Sequence, residues 1–280
     1  MAEFFLELFS EEIPAGLQKN LRDKLLEEFQ KFFFEKSIKS KKAYSLSTPN
    51  RLIVVFEGLD KQIEILSEEI RGPKTNAPEQ ALEGFIRSNK IEKKDLFKKK
   101  TEKDEFYFFK TKTKILKTHD LLIEFIPKLL ESYQWKKSMK WGEFNLDWGR
   151  PLKSILSVFD KKIINFEFYH IFSSNMTFID KDLEEKKKIF LNFKSYEKFF
   201  KKQGTIINQN KRKELIEKQF SKILNKRKLK IKDNPRLFNE VVNIVDNPNI
   251  LLCSFDKKFL AIPKEILTLT MESHQKYFPT

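Results

Sequence analysis

One cysteine, Cys253, occurs in 280 residues. The chain can therefore form no internal disulfide and no cysteine-built zinc cage. Lack of disulfides fits a reducing compartment, and Cys253, inside the apolar run Ile250-Leu251-Leu252-Cys253, is expected to be a small buried side chain. Seven glycines compose no Gly-rich phosphate loop and no Gly-x-Ser-x-Gly elbow. The three histidines, His119, His170 and His274, lack the His-x-x-x-His spacing of a zinc helix. The adjacent acids Glu11 and Glu12 stand at an expected helix start, where the macrodipole accounts for them without catalysis. With no nucleophile–base constellation, no catalytic site and no metal are expected on this chain. No run of eighteen apolar residues is present, so no spanning helix is expected. Met1 to Phe5 is followed by Glu7, Glu11 and Glu12 and has no basic n-region, so no signal peptide and a cytoplasmic protein are expected.

What the chain has in excess is positive charge and phenylalanine. Fifty-five Lys and Arg stand against forty Asp and Glu, a net charge of +15, and there are twenty-nine phenylalanines. A surplus of that size favours polyanions: RNA, DNA or an acidic membrane face. The richness in Lys, Phe, Ile and Asn runs through the whole chain, so a single Lys or Phe carries little information. With 40% hydrophobic and 34% charged residues, the composition is that of a folded protein.

Hydrophobic periodicity predicts a strand over Phe4 to Phe9, then a helix from about 15 to 36 with Leu17, Leu21, Leu25, Phe29 and Phe32 on one face. Ser47 to Arg51 is a turn fixed by Pro49, followed by a strand over Leu52 to Phe56. A second strand is expected over Gln62 to Ile70, a sharp loop at Arg71-Gly72-Pro73-Lys74, and a helix with Leu82, Phe85 and Ile86 inward. Leu96 to Lys114 reads as a hairpin. Asp120 to Tyr133 is helical, with Pro127 expected to kink or break it. Leu152 to Phe159 is a strand or a helix, since its period does not decide. Phe172 to Asp180 is loop-like, Tyr196 to Lys202 a short helix, and Gly204 to Asn208 a brief buried strand. Residues 210 to 229 form a long basic helix with Leu215, Ile216, Phe220, Ile223 and Leu224 inward and Lys211, Arg212, Lys213, Lys218 and Lys222 among its outward cations. Leu237 to Val245 is a helix or strand, Ile250 to Phe255 a strand, and Pro263 to Tyr277 a helix. The fold class is α+β, with antiparallel sheets and helices packed on one side in two or three small lobes. The expected partition is an N-terminal α+β lobe at 1–135, a Trp/Lys-rich β lobe at 136–190, and a helical and β segment at 191–280.

Rare residues gather in one stretch, Lys137-Ser138-Met139-Lys140-Trp141-Gly142 continued by Gly149-Arg150-Pro151-Leu152-Lys153. It holds Trp141 and Trp148 beside several cations. Lysine and arginine neutralise phosphate while tryptophan can stack a splayed base. A Trp-Gly turn between strands with lysines on the wet side would look the same.

Six segments in order resemble the β subunit of the bacterial-type heterotetrameric glycyl-tRNA synthetase. Phe5 to Ala15 (FLELFSEEIPA) is similar to that family's opening strand and Glu-Glu-[Ile/Leu]-Pro-Ala turn, and Thr48-Pro49-Asn50-Arg51-Leu52 to its Thr-Pro-Arg-Arg-Leu. Arg71-Gly72-Pro73 and Ala81 to Ser88 (ALEGFIRS) resemble its Arg-Gly-Pro and Ala-x-Glu-Gly-Phe-x-Arg-Ser. Lys137 to Gly142 with Arg150-Pro151-Leu152 resembles Lys-Ser-Met-Arg-Trp-Gly and Arg-Pro-Ile-Arg-Trp. Phe259 to Glu265 and Met271 to Phe278 fit Phe-Leu-x-[Leu/Ile]-Pro-x-Glu and Met-x-x-His-Gln-Lys-Tyr-Phe. Two segments depart from the pattern. Ser173 to Phe178 stands where the family has Thr-x-Gly-His-Arg-Phe, without the His-Arg pair, and Lys153-Ser154 replaces Arg-Trp.

The resemblance implies a subunit that grips glycine-specific tRNA and assembles with an alpha subunit in an α2β2 tetramer. That alpha subunit would carry the catalytic site and use ATP with magnesium, and no cofactor would be bound by this chain. It also implies that the family's later HD-type and anticodon-binding regions lie outside this sequence, through a fragment, a truncated gene or a split subunit. Arg51, Arg71, Lys137, Lys140, Trp141 and Arg150 are then the RNA- or subunit-facing candidates. Against this, Arg51 and Arg71 flank turns, where a charge is simply solvated, and Trp141 could pack in its own core. The rival reading is a non-catalytic interaction scaffold without tRNA binding.

Overall fold

The computed structural model describes all residues except 102–103, 136 and 180–185. Residues 1–61 supply strand β1 (Ala2–Ser10), helix α1 (Ala15–Glu35), β2 (Lys42–Thr48) and β3 (Arg51–Leu59). Residues 62–121 supply β4 (Gln62–Ile65), β5 (Glu69–Lys74), α2 (Glu79–Asn89), β6 (Leu96–Lys100), β7 (Glu105–Lys110), β8 (Lys114–Lys117) and the start of α3 (Thr118–Glu131). Then follow β9 (Leu152–Phe159), β10 (Lys162–Ile163), β11 (Glu167–Phe168), β12 (Ile171–Ser174), β13 (Met176–Phe178) and β14 (Lys187–Ile189). The last elements are α4 (Phe193–Lys202), α5 (Gln209–Arg227), α6 (Pro235–Ile244) and α7 (Lys264–Ser273). The fold is α+β with mostly antiparallel sheets. The chain forms two compact units, one of Met1–Lys61 with Leu122–Thr280 and one of Gln62–Leu121.

The larger unit is built on a sheet of order β11-β12-β9-β1-β3-β2, with β10 also paired to β9. β1 lies at its centre, antiparallel to both β3 and β9, while β12 joins β9 in parallel. Leu152 to Phe159, undecided from its period, is therefore an inner strand. A strand covered on both faces has no polar side to alternate with, which explains the near-continuous apolar run of β1. One face carries Phe4 against Phe29, Phe33 and Phe56, so α1 packs there. Phe125 of α3 stacks on Phe32 at 3.8 Å, and Tyr133 donates to the Leu21 carbonyl. The other face carries Phe5, Ile53, Val55, Leu156 and Val158 against Phe193, Tyr196 and Phe200 of α4. Each such side chain removed from water contributes about 1.5–3 kcal/mol. β2 and β3 meet through a two-residue turn, Thr48 facing Arg51 across Pro49-Asn50, as the proline requires.

The smaller unit holds the sheet β5-β7-β6 and the separate pair β4-β8. Helix α2 packs Phe85 edge-on against Phe109 at 5.7 Å. The expected strand over 62–70 is two short strands in different sheets. Arg71 to Lys74, expected as a sharp loop, belongs to β5, with its register slipping between those two residues. Gly72 allows this close packing, because a Cβ there would lie 2.7 Å from the Phe85 ring.

Other expectations change as well. Phe172 to Asp180, expected as loop, holds β12 and β13, while Asp180 itself lies outside the described residues. Pro127 neither ends nor interrupts α3. Gly204 to Asn208 and Ile250 to Phe255 are irregular backbone rather than strands. No neighbouring strand among the described residues pairs with either. Cys253 is exposed, not buried, since the run that holds it never enters a core.

Candidate nucleic-acid interface

The Trp-rich stretch doubles back on itself. Met139 and Trp148 exchange backbone hydrogen bonds of 2.8 and 3.1 Å as an isolated antiparallel bridge. Trp148 points inward, buried against Tyr133 (5.9 Å), Trp135 (4.9 Å) and Phe168 (5.6 Å). Gly149 is required by this packing: a Cβ there would lie 1.9 Å from a Trp135 ring carbon. Gly142, with φ of +57°, turns the chain in the left-handed region that glycine adopts without strain.

Trp141 has the opposite fate. It is half-buried and meets the His170 ring edge-on at 6.0 Å, while the exposed Phe144 stacks on the same imidazole at 3.5 Å. Burial lowers the His170 pKa from its ordinary 6.5, and its Nδ1 is shielded without a hydrogen-bond partner among the described residues. At neutral pH this ring is an uncharged aromatic platform. Lys137 and Lys140, on the same stretch of chain as Trp141, are exposed, and among the described residues neither reaches a carboxylate. Arg150 is half-buried and donates to its neighbour's carbonyl, Gly149 O, at 2.7 Å. Four candidates, Lys137, Lys140, Trp141 and Arg150, thus fall in one surface stretch, two of them exposed lysines in the same segment as the partly open Trp141 and Phe144 rings. Such an arrangement can neutralise phosphate and offer a stacking surface.

Arg51 lies elsewhere and inside. It is 4% exposed. Its guanidinium is sandwiched between Phe9 (4.3 Å) and Phe200 (4.6 Å), donates to Phe178 O at 2.6 Å, and lies 3.7 Å from the carboxylate of fully buried Glu7. Glu7 also accepts from the Thr177 and Tyr196 hydroxyls. Burial, and then the Glu7 charge, push the Tyr196 pKa up, so its proton stays in place as a donor. Neither an outward contact nor a solvated turn describes this side chain. It lines a cavity of about 220 Å³ with Thr48, Asn50, Gln203 and Asp246.

Arg71 belongs to the smaller unit. It is exposed, and its guanidinium lies 3.5 Å above the ring of Phe106, which it helps to cover. Nearby on the same sheet, Phe97 stacks on Phe108 at 6.1 Å, and Lys99 pairs with Glu69 at 2.6 Å.

Sequence reasoning missed Arg212. Expected on the wet side of the long basic helix, it is wholly buried. Its Nε donates to Val242 O (3.0 Å), Nη1 to Ile206 O and Ile207 O (2.7 and 3.1 Å), and Nη2 to Ser47 O (2.9 Å). Burial lowers its pKa to about 10, against the pull of Asp246. The only sequence signal was its position four residues before Ile216, itself buried. Among the described residues no three His, Cys, Asp or Glu side chains converge as a metal site would need, and no helix is long and apolar enough to cross a membrane.

The family model described as glycyl-tRNA synthetase beta subunit matches residues 4–280. The chain is 35% identical over 278 residues to the glycine–tRNA ligase beta subunit of Rickettsia akari (strain Hartford) and 37% identical over 278 residues to that of Rickettsia canadensis (strain McKiel). It is 36% identical over 280 residues to that of Rickettsia felis (strain ATCC VR-1525 / URRWXCal2). Each similarity covers 99% of this chain and 42% of the relative, so the chain spans about two fifths of the length of the curated relatives it matches. With these matches spanning nearly every residue, the chain belongs to the glycyl-tRNA synthetase beta subunit family.

Proposed function

We propose that this chain serves as the N-terminal portion of a glycine–tRNA ligase beta subunit, holding glycine-specific tRNA for ATP-dependent glycylation. In this reading an alpha subunit carries the catalytic site with its ATP and magnesium, the two assemble as an α2β2 tetramer in the cytoplasm, and this chain supplies no catalytic residue. The observation that carries the reading is the exposed pair Lys137 and Lys140 in the same stretch of chain as Trp141 and Phe144, whose rings meet His170. Beside it stands the chain's net charge of +15. Filter binding to tRNA across a salt series tests it. Affinity should fall linearly in log–log form, with a slope of about 0.9 per phosphate neutralised on duplex. Glycylation should appear only when an alpha subunit is added. Flat binding across the series would end the tRNA reading.

A specific observation favours a second reading, a protein-interaction scaffold. Leu251, Leu260, Ile266 and Leu269, all in the last thirty residues, are 57–72% exposed, and exposed apolar surface that gathers into a patch marks protein–protein contact. Stable capture of the alpha subunit without tRNA affinity at low salt would favour the scaffold.

A further inference from the structure

Helices α5 and α6 enclose a cleft of about 400 Å³ whose floor is aromatic. Phe220 meets Phe278 edge-on at 4.9 Å and Phe238 at 6.2 Å, and Phe238 lies 6.4 Å from Phe278. All three rings are only half-buried, so each keeps an open side. Lys213, Glu217, Phe220 and Leu224 also line the cleft. Their spacing of four, three and four residues places them on one face of α5. The far wall begins at Ile231 and Lys232.

The chain from Leu224 to Ile231 joins two residues that line the cleft and so borders it as a rim, and it is strongly cationic. Lys226, Arg227, Lys228 and Lys230 are all exposed, and none reaches a carboxylate among the described residues. Lys228 ends α5 in the left-handed conformation, with φ of +52° and its N–H on Leu224 O, which fixes the rim to the helix. Two carboxylates also line the cleft. Glu217 lies 3.9 Å from Lys213, and Asp233 sits beside Lys232 in sequence.

An aromatic floor beneath a run of unpaired cations is the chemistry that binds single-stranded nucleic acid. Rings stack a base of any identity while lysine and arginine follow the phosphates. The volume admits a nucleoside, and the exposed Asn239 at its edge offers both a donor and an acceptor to a base. A simple apolar groove for a peptide would not need four uncompensated charges on one rim. We infer that the α5–α6 cleft seats an unpaired nucleotide of RNA, with the adjoining phosphates on Lys226, Arg227, Lys228 and Lys230. This rests on the tRNA-holding reading and adds to it a site remote in sequence from Lys137 and Trp141.

The test uses the full chain, an oligouridylate octamer and an abasic octamer of the same charge, with tRNA as a third probe. The wild-type chain should bind the octamer at least about fivefold more tightly than the abasic strand, the lower end of what one stacked base contributes. Phe278→Ala, and Asn239→Trp, which fills the cleft without removing any floor residue, should each abolish that preference. Both should leave abasic affinity and the thermal transition near wild type. Neutralising the rim (Lys226→Gln, Arg227→Gln, Lys228→Gln, Lys230→Gln) should lower the salt slope for both octamers by about 2–3, at ~0.7 per phosphate on single strands. Equal wild-type affinity for the two octamers, or an undiminished base preference in both cleft variants, overturns the inference. If tRNA still binds in that case, the inference fails alone; if tRNA does not bind either, the broader reading fails with it. Loss of alpha-subunit capture in the cleft variants, with RNA binding intact, would assign the cleft to a protein segment and also overturn it.

Discussion

Replacing Arg51 by Met decides whether this arginine is a structural or an interfacial group. The substitution keeps an unbranched side chain between Phe9 and Phe200 but removes the charge 3.7 Å from Glu7 and the donor to Phe178 O. At an effective dielectric of about 20, unit charges at that separation attract by roughly 4 kcal/mol. Glu7 would remain 0% exposed, holding only the Thr177 and Tyr196 hydroxyls. Breaking a buried pair from one side typically costs about 3–5 kcal/mol, because the orphaned charge stays desolvated. Against a total stability of about 5–15 kcal/mol, urea unfolding should show the loss as a clear drop in midpoint. Glu7→Gln should cost a similar amount, and the double variant should cost well under the sum, since neither charge is then alone. The salt slope of tRNA binding should not change in any of the three. Additive single costs, each under about 1 kcal/mol, with a shallower salt slope, would refute this assignment and return Arg51 to the interface.

Other substitutions probe the remaining features. Gly149→Ala would place a Cβ 1.9 Å from the Trp135 ring and should cost about 1–3 kcal/mol as overpacking, with altered tryptophan fluorescence. Lys137→Ala with Lys140→Ala should reduce the salt slope of tRNA binding by about 1–2 at an unchanged thermal midpoint; adding Arg150→Ala should weaken binding little further, because its head group is held by Gly149 O. The folded state lowers the His170 pKa, so the unfolded chain takes up that proton first as pH falls. The stabilisation is therefore complete above the ordinary 6.5 and is lost as pH falls from there through the lowered folded value. The melting temperature of wild type relative to His170→Phe should fall over that window and be constant above it. Arg212→Lys gives up a planar fork that serves four carbonyls for an ammonium with three donors, and should cost about 2–4 kcal/mol by urea unfolding, whereas the exposed Arg227→Lys should cost nothing measurable.

Much of the fold was legible because its elements meet the periodicity tests directly. Helix α1 shows its buried stripe at Leu21, Leu25, Phe29 and Phe32, and Pro49 announces the β2–β3 turn. β9 was harder for one physical reason: it is buried on two faces, so the alternation that marks a strand is missing. Nothing local revealed that α4 would cover the second face, because that depends on pairings more than a hundred residues apart. The Lys137 to Arg150 stretch was legible as a surface cluster. The inward turn of Trp148 and the outward turn of Trp141 were not, since they depend on Gly149, Trp135 and His170 meeting in space. The α5–α6 cleft escaped notice because its third ring, Phe278, lies fifty-eight residues from Phe220.

Where the cations stand reverses one habit of reading this sequence. Eight arginines occur among fifty-five Lys and Arg, and three of them, Arg22, Arg51 and Arg212, are buried, while no lysine is among the buried polar side chains described. The scarcer cation is thus retained where a flat, multi-donor head is needed. Arg212 reaches carbonyls of the β2 edge, of the 206–207 segment and of α6, and Arg22 donates to Ser47 Oγ at 3.0 Å beside it. Gln18 and Gln209 finish the same layer on Ile13 O, Asn243 O and Ser47 N–H. An ammonium cannot span such a set, and its hydration is costlier to strip. In a chain drifting toward lysine, an arginine is therefore not by itself a mark of the interface. A binding surface is then better sought where exposed lysines are left out of ion pairs among the described residues and share a segment with open rings, at Lys137 to Phe144 and from Lys226 to Lys230.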